Sequence, residues 1–342
     1  MRRSATRLNI EALESRAVPA AGLSRGVLNI AGDPGANTVV VSQSGNDALV
    51  TLNGVDSLFA LSSFTSVKIT GGIGDDTVTF TLDKPVTIDG GDGNDTMTSG
   101  GITGSTYKGA ATIKGGDGND TITTTATGKV IVNGGNGNDT VTIAGASSAT
   151  ITGDSGNDTI TAATPGIATI GGGTGNDTIT VSASSSATVK GDSGNDIITG
   201  VNIVKGTIAG GTGDDTIDIT ATGALNIKGE SGSDTITFVT AGMATIDGGT
   251  EDDIFLNNGV GAASIKGGDG NDTIMGGFGY NTIDGGIGDD ILTGRGINGD
   301  VLRGGGDADS LTATGGVTKL YVDQLDIFFT TRLNDLLFTA RV

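Results

Sequence analysis

The sequence predicts an all-β fold, a parallel β-roll or β-solenoid of about thirteen 19-residue coils with terminal caps. Three features point there. A glycine- and aspartate-rich hexad recurs in phase along most of the chain. Short runs of Thr, Ile and Val alternate polar with apolar on both sides of each hexad. The composition suits nothing wider, since aromatics are 4% of 342 residues and tryptophan and cysteine are absent. A broad core of large side chains cannot be assembled from these residues, whereas a thin stack of Ile and Val can. The 63 glycines follow no strict Gly-X-Y period, which excludes collagen.

Taken in chain order, residues 1–20 start basic but lack an apolar run of about seven or more. They are expected to be an export leader or a disordered tail. Residues 21–66 carry a degenerate hexad around Ile30-Ala31-Gly32-Asp33, then strand-like runs such as Ala48-Leu49-Val50-Thr51-Leu52. They read as an N-terminal β cap.

Residues 67–312 hold the repeat, Ile-x-Gly-Gly-x-Gly-x-Asp-x-Ile. Its first apolar residue falls at Ile69, Ile88, Ile113, Val132, Ile151 and onward to Leu302. The step is 19, except for 25 between Ile88 and Ile113 and 18 between Ile265 and Ile283, so there are thirteen units. In alternate units the second glycine is replaced by Asp154, Asp192 and Glu230, and Lys190, Lys228 and Lys266 share that 38-residue spacing. Each unit reads as two strands, Ala-Thr-Ile before the hexad and Thr-Ile-Thr after it, each with one buried face. The hexad is expected to be one turn and a looser Gly/Ser/Ala segment the other. One unit cannot bury its Ile alone, so coils must stack. The six extra residues around positions 99–110 are expected to bulge as a loop. Residues 313–342 lose the glycine-rich hexad and gain Leu and Phe, as suits a C-terminal cap over an edge that would otherwise pair with another chain.

The hexad is also a candidate cation site. Glycines permit positive φ, so carbonyls can turn inward. The sixth residue is aspartate in all thirteen units: Asp76, Asp95, Asp120, Asp139, Asp158, Asp177, Asp196, Asp215, Asp234, Asp253, Asp272, Asp290 and Asp309. Calcium takes six to eight oxygens from carboxylates and carbonyls, more than one turn offers, so two stacked turns are expected to share an ion. Further oxygens are expected from Asp92, Asp117 and Asp269 at the third position. Asn119, Asn138, Asn157, Asn176, Asn195, Asp214, Asn271 and Asp289 at the fifth are expected to add others. Stacked carboxylates repel by roughly 1 kcal/mol even in water, and bound divalent ions remove that cost. If these were metal-free Asx turns, Asp would exchange with Asn, Ser or Gly. The fifth position does vary in this way; the sixth does not.

The hexads resemble the hemolysin-type, or RTX, repeat Gly-Gly-x-Gly-x-Asp-x-apolar-x, over about residues 67–312. The resemblance implies calcium in a parallel β-roll. That family typically repeats every nine residues, with calcium on both edges. Here the hexad recurs every 19, which implies calcium on one edge only. The departures are Thr250-Glu251-Asp252-Asp253, Gly306-Asp307-Ala308-Asp309, Ile73 and Ile287, where weaker sites are expected. Separately, the run from Arg7 to Ala20 is similar to the leader of many exported planctomycete proteins.

The net charge of −20 disfavours nucleic acid and anionic membranes. No apolar stretch is long enough to span a bilayer as a helix. Without His or Cys, the usual base for a serine nucleophile, thiol chemistry and common zinc sites are missing. Two alternatives stay open. A polysaccharide lyase or glycosidase could use carboxylates with Lys190, Lys228 or Lys266. The outward pairs such as Thr121/Thr123 and Thr140/Thr142 resemble the arrays of ice-binding solenoids, although Asp218, Leu256 and Met275 break the array. The leading expectation is a non-enzymatic, extracellular or cell-surface protein that binds calcium ions. Its role would be structural or adhesive, with a surface polysaccharide or another cell-surface protein as partner.

Overall fold

Alternation decides the strands. In Thr159–Ala163, Ile160 and Ala162 are buried while Thr159 and Ala163 face water, and in Ser148–Ser155 it is Ala149, Ile151 and Gly153 that turn inward. A pleated strand puts successive side chains on opposite faces, so this pattern lays one apolar face on a core. The computed structural model describes residues 20–100, 109–182, 184–297, 299–314, 318–322, 326–330 and 336–340. The leader reading and most of the loop expected near 99–110 fall outside them.

The described chain opens with β1 (Ala20–Ser24), which pairs antiparallel with β2 (Val27–Ala31) through a two-residue turn at Arg25-Gly26, both at positive φ. Next, β3 (Thr38–Ser44), β4 (Asp47–Leu52) and β5 (Val55–Ala60) form an antiparallel meander. A single 3₁₀ turn follows at Leu61–Ser63. Beyond it lies buried Phe64, with the Lys84 ammonium 5.4 Å from its ring centroid.

From here every strand pairing among the described residues is parallel. β2 pairs with β6 (Ser66–Ile73) and β3 with β7 (Thr77–Thr81), which makes β2 and β3 the first coil. β6 then pairs with β8 (Val86–Asp92), β7 with β9 (Thr96–Ser99), and the two ladders continue to Leu336–Ala340 and Ile327–Thr330. Equal repeat positions lie side by side: Ile151 against Ile170, Ile160 against Ile179. The longer step is absorbed without loss of phase, since Ile88 still faces Ile113. The protein is thus a parallel β-solenoid of about thirteen turns.

Between the two sheets runs the thin core that the composition demanded. One wall is the column Ile69 to Leu302; the other is Val78, Met97, Ile122, Val141, Ile160 and their successors, all buried. Burying an Ile or Val contributes roughly 1.5–3 kcal/mol, so the stack, not any single coil, carries the fold. Ala111, Ala149, Ala168, Ala187, Ala244 and Ala263 fill the narrow side. One irregularity interrupts the ladder, a bulge between Gly200 and Ile203, with Asn202 at φ 57. It returns Ile203 to the core after exposed Val201.

The hexad is not one turn, as expected, but strand and turn together. The strand Ser148–Ser155 runs through the first three hexad residues, and only the last three, Gly156, Asn157 and Asp158, reverse the chain. The first glycine is skipped in the pairing, where Asn133 faces Thr152 and then Gly135 faces Asp154. The second position lies at positive φ, about +121 in Gly135, which lets the strand swing toward the turn.

Candidate metal sites

The sixth-position aspartates are buried, each about 1% exposed or less. Each carboxylate has two unlike oxygens. Oδ1 accepts the backbone N–H of the aspartate one coil earlier: Asp139 N to Asp158 Oδ1 at 2.8 Å, Asp158 N to Asp177 Oδ1 at 2.7 Å, Asp177 N to Asp196 Oδ1 at 2.7 Å. The ladder runs unbroken from Asn37 to Asp309. Oδ2 has no hydrogen-bond partner in any of the thirteen. A buried carboxylate oxygen without a donor costs free energy, and thirteen in one column are not explained by turn formation alone.

The surroundings of Oδ2 show what it faces. A Cβ added to Gly153 would stand 2.1 Å from Asp158 Oδ2 and 2.4 Å from the carbonyl oxygen of Gly172, the first hexad glycine of the next coil. The same pair of oxygens converges beside Gly71, Gly90, Gly115 and the other first glycines up to Gly285. This is why the first position never carries a side chain. A carboxylate oxygen without a donor, meeting a carbonyl oxygen in a buried cradle, belongs to the hard-oxygen set that calcium takes.

Electrostatics agrees. Burial raises the pKa of every column carboxyl, the N–H of the column residue one coil earlier opposes the rise, and neighbouring column or hexad carboxylates add to it. Asp95, Asp177, Asp215, Asp253, Asp290 and Asp309 are pushed up to about 7, and Asp120, Asp139, Asp196, Asp234 and Asp272 to about 6. Asp76 and Asp158 are raised for the same first reason. The charged forms lack compensation that a divalent ion would supply.

The other expected ligands lie elsewhere. Fifth-position side chains are exposed and form a second ladder of opposite sense. Asn119 Oδ1 accepts from Asn138 N at 2.6 Å, Asn138 from Asn157 N at 2.7 Å, Asn157 from Asn176 N at 2.7 Å and Asn176 from Asn195 N at 2.8 Å. Asn195, Asp214, Asn271 and Asp289 each receive the next coil's N–H likewise. At the third position, Asp92, Asp117 and Asp269 are exposed, and Asp117 accepts from the Asn136 amide at 2.6 Å. The arrangement therefore favours the column carboxylates and backbone carbonyls as the ion's cradle. Among the described residues no cluster of three or more acidic side chains converges.

The irregular hexads keep the geometry at a conformational cost. Asp253 is buried, with both its ladder bonds at 2.8 Å, and Glu251 holds the fourth position at φ 77. Asp307 does the same at φ 72, and Asp154, Asp192 and Glu230 hold the second position at φ 75–83.

The profile of the RTX calcium-binding nonapeptide repeat (4 copies) matches residues 82–101, 107–126, 143–164, 182–200 and 266–296. The chain carries RTX repeats. Its RTX turns are calcium-binding turns on a β-helical scaffold. Among solved structures the chain is similar to a hyperactive, Ca2+-dependent, beta-helical antifreeze protein from an Antarctic bacterium. Identity is 19% and the TM-score 0.47, with 76% of this chain and 81% of that one covered. No curated protein sequence matches the chain.

Sequence reasoning missed a short column on the opposite edge. Gly276-Gly277-Phe278-Gly279-Tyr280-Asn281 spells the RTX hexad with Asn for Asp, and that spelling was the available signal. Asn257, Asn281 and Asp300 stack there, all buried. Asp300 Oδ1 accepts Asn281 N and Oδ2 accepts Gly296 N, each at 2.8 Å, so this carboxylate is satisfied without a cation.

Proposed function

We propose that this protein is an exported, non-enzymatic rod that calcium locks into shape, acting outside the cell in a structural or adhesive role. The observation that carries the reading is the column of buried aspartate oxygens without donors. An ion shared between stacked turns would serve each of them. Cation binding to ordered turns adds its free energy to folding, because the open chain presents no such cradle. Weak oxygen-only sites suit surroundings with millimolar calcium. A surface polysaccharide or another cell-surface protein is the proposed partner.

A non-enzymatic role is supported by the lysines. Lys228, Asp247, Lys266, Asp284 and Arg303 occupy one register position on neighbouring strands, with alternating sign. Lys266 stands 4.0 Å from Asp247 on the exposed face. A periodic, solvated charge ladder is not a cleft. Far-ultraviolet circular dichroism with sedimentation, in chelator and then in calcium, tests the proposal. Millimolar calcium should convert an expanded chain into a compact β form, and magnesium should do so poorly because it holds its waters. A β signal and melting temperature unchanged by chelator would refute it. Reproducible release of sugar ends from polysaccharide would refute the non-enzymatic part.

A further inference from the structure

Two turns keep the RTX geometry without an unpartnered oxygen, and in both the sixth residue is asparagine. Asn37 heads the aspartate column: Gly32 to Asn37 aligns with Gly71 to Asp76 through the pairing of Ile30 with Ile69 and Thr38 with Thr77. Its backbone N–H donates to Asp76 Oδ1 at 2.6 Å, as every column aspartate does to its successor. Its carboxamide differs from a carboxylate at one atom. Nδ2, with two hydrogens to give, lies within hydrogen-bond distance of the carbonyls of Asp33 at 3.0 Å, Gly35 at 2.5 Å and Gly71 at 3.4 Å, and of Asp76 Oδ1 at 3.0 Å. Oδ1 accepts from Asp33 N at 3.1 Å and Asn53 Nδ2 at 2.9 Å, and this fixes which end of the amide carries the hydrogens.

Asn281 repeats the arrangement on the opposite edge. Its Nδ2 donates to the carbonyls of Gly277 at 2.9 Å and Gly279 at 3.0 Å, again the second and fourth hexad residues, and to Asp300 Oδ1 at 3.0 Å. Its backbone N–H bonds that same Oδ1 at 2.8 Å. So the place where Oδ2 sits in an aspartate turn is, in these two, a nitrogen facing a ring of oxygens.

We propose that the carboxamides of Asn37 and Asn281 take the place of the cation, so that these two turns are amide-locked and close without metal. The N–H groups of the amide close the turn onto the carbonyls of its own second and fourth residues, and a neutral group adds no repulsion to the column. The array then has metal-independent anchors at the head of the aspartate column and on the opposite edge of its later coils. Cation-dependent coils extend from the first and lie across from the second. This rests on the calcium reading above for the role of the aspartate turns, but the amide chemistry stands on its own hydrogen bonds.

The test follows folding of the full chain by circular dichroism against free calcium, with bound calcium counted by equilibrium dialysis. Asp158→Asn should install an amide lock at mid-column. The calcium midpoint for folding should move to lower concentration, while bound calcium falls by at least one ion per chain. Asp158→Ala should lose calcium equally but move the midpoint to higher concentration. Asn37→Asp should move the midpoint up and add one bound ion. Asp158→Asn behaving like Asp158→Ala, or Asn37→Asp changing neither midpoint nor stoichiometry, overturns the proposal. If the unsubstituted chain binds no calcium, the calcium reading fails instead. Melting of the metal-free chains then decides the amide claim: Asp158→Asn at or above the parent and Asp158→Ala below it supports the claim, and equal melting of the two refutes it.

Discussion

Asp158 and Asp309 carry the same side chain in unequal surroundings. Asp158 has regular turns on both sides, whereas the N–H of Asp309 meets Asp326 at a long 3.3 Å. Replacing Asp158 by Ala should therefore lower the melting temperature in calcium more than replacing Asp309, as differential scanning calorimetry will show. Equal, negligible effects would favour plain Asx turns. Glycines divide the same way. Gly145 lies at φ +80 with nothing near its missing Cβ, so Gly145→Ala should cost about 1–2 kcal/mol from backbone strain alone. At Gly153 the methyl would strike the Asp158 carboxylate, and Gly153→Ala should cost about 3 kcal/mol in calcium and remove bound ions. Denaturant unfolding of the two variants settles the ranking.

At the level of the turn and its flanking strands, the alternating triplets were legible because period-2 burial is written directly in residue type. Ile151 and Ile160 are core in sequence and in structure alike. The division of the hexad was not legible. Whether Gly-Gly-x ends a strand or begins a turn depends on a φ that glycine leaves open, and only stacking selects it. The column of aspartates was legible from its invariance over thirteen copies. The accepting role of the Asn119 to Asn195 side chains was not, since a carboxamide suits a cation or an N–H equally. The turn at Gly276–Asn281 was overlooked because its last residue is Asn. Glu251 offers a test of the turn's conformational demand. Glu251→Gly relieves a left-handed side chain and should raise stability by about 1 kcal/mol, read as a higher melting temperature in calcium. No change would mean that Glu251 makes contacts that offset its strain.

For the whole molecule, the raised carboxyl groups link stability to pH. Their folded values of about 6–7 lie above the ordinary aspartate value, so between roughly pH 4 and 7 the metal-free folded chain binds more protons than the unfolded one. Its stability must rise as pH falls through that window and be lost as pH rises. Calcium competes with the same protons. In chelator, acidifying from pH 8 to 5 should strengthen the β signal, while the calcium bound by the folded chain at a fixed free concentration should fall, as equilibrium dialysis will show. Calcium uptake by the folded chain that is indifferent to pH would mean that the column carboxylates are not the ligands.

A stack of near-identical coils resembles a ruler without numerals. One strand could dock a whole repeat out of phase, looping out its neighbour, and still meet Thr, Ile and Thr in the expected places. The bulge between Gly200 and Ile203 is one numeral on that ruler. The extra residue belongs to Ile197–Ile203, and the regular strand Thr216–Ala221 opposite it sets Gly200 against Ile219 and Ile203 against Ala221. Ile197–Ile203 is the strand that carries the extra residue, so docked one repeat away it would set its bulge where the ladder is regular. The irregularity thus breaks the translational symmetry of the rod, and it tells each coil which place in the stack is its own.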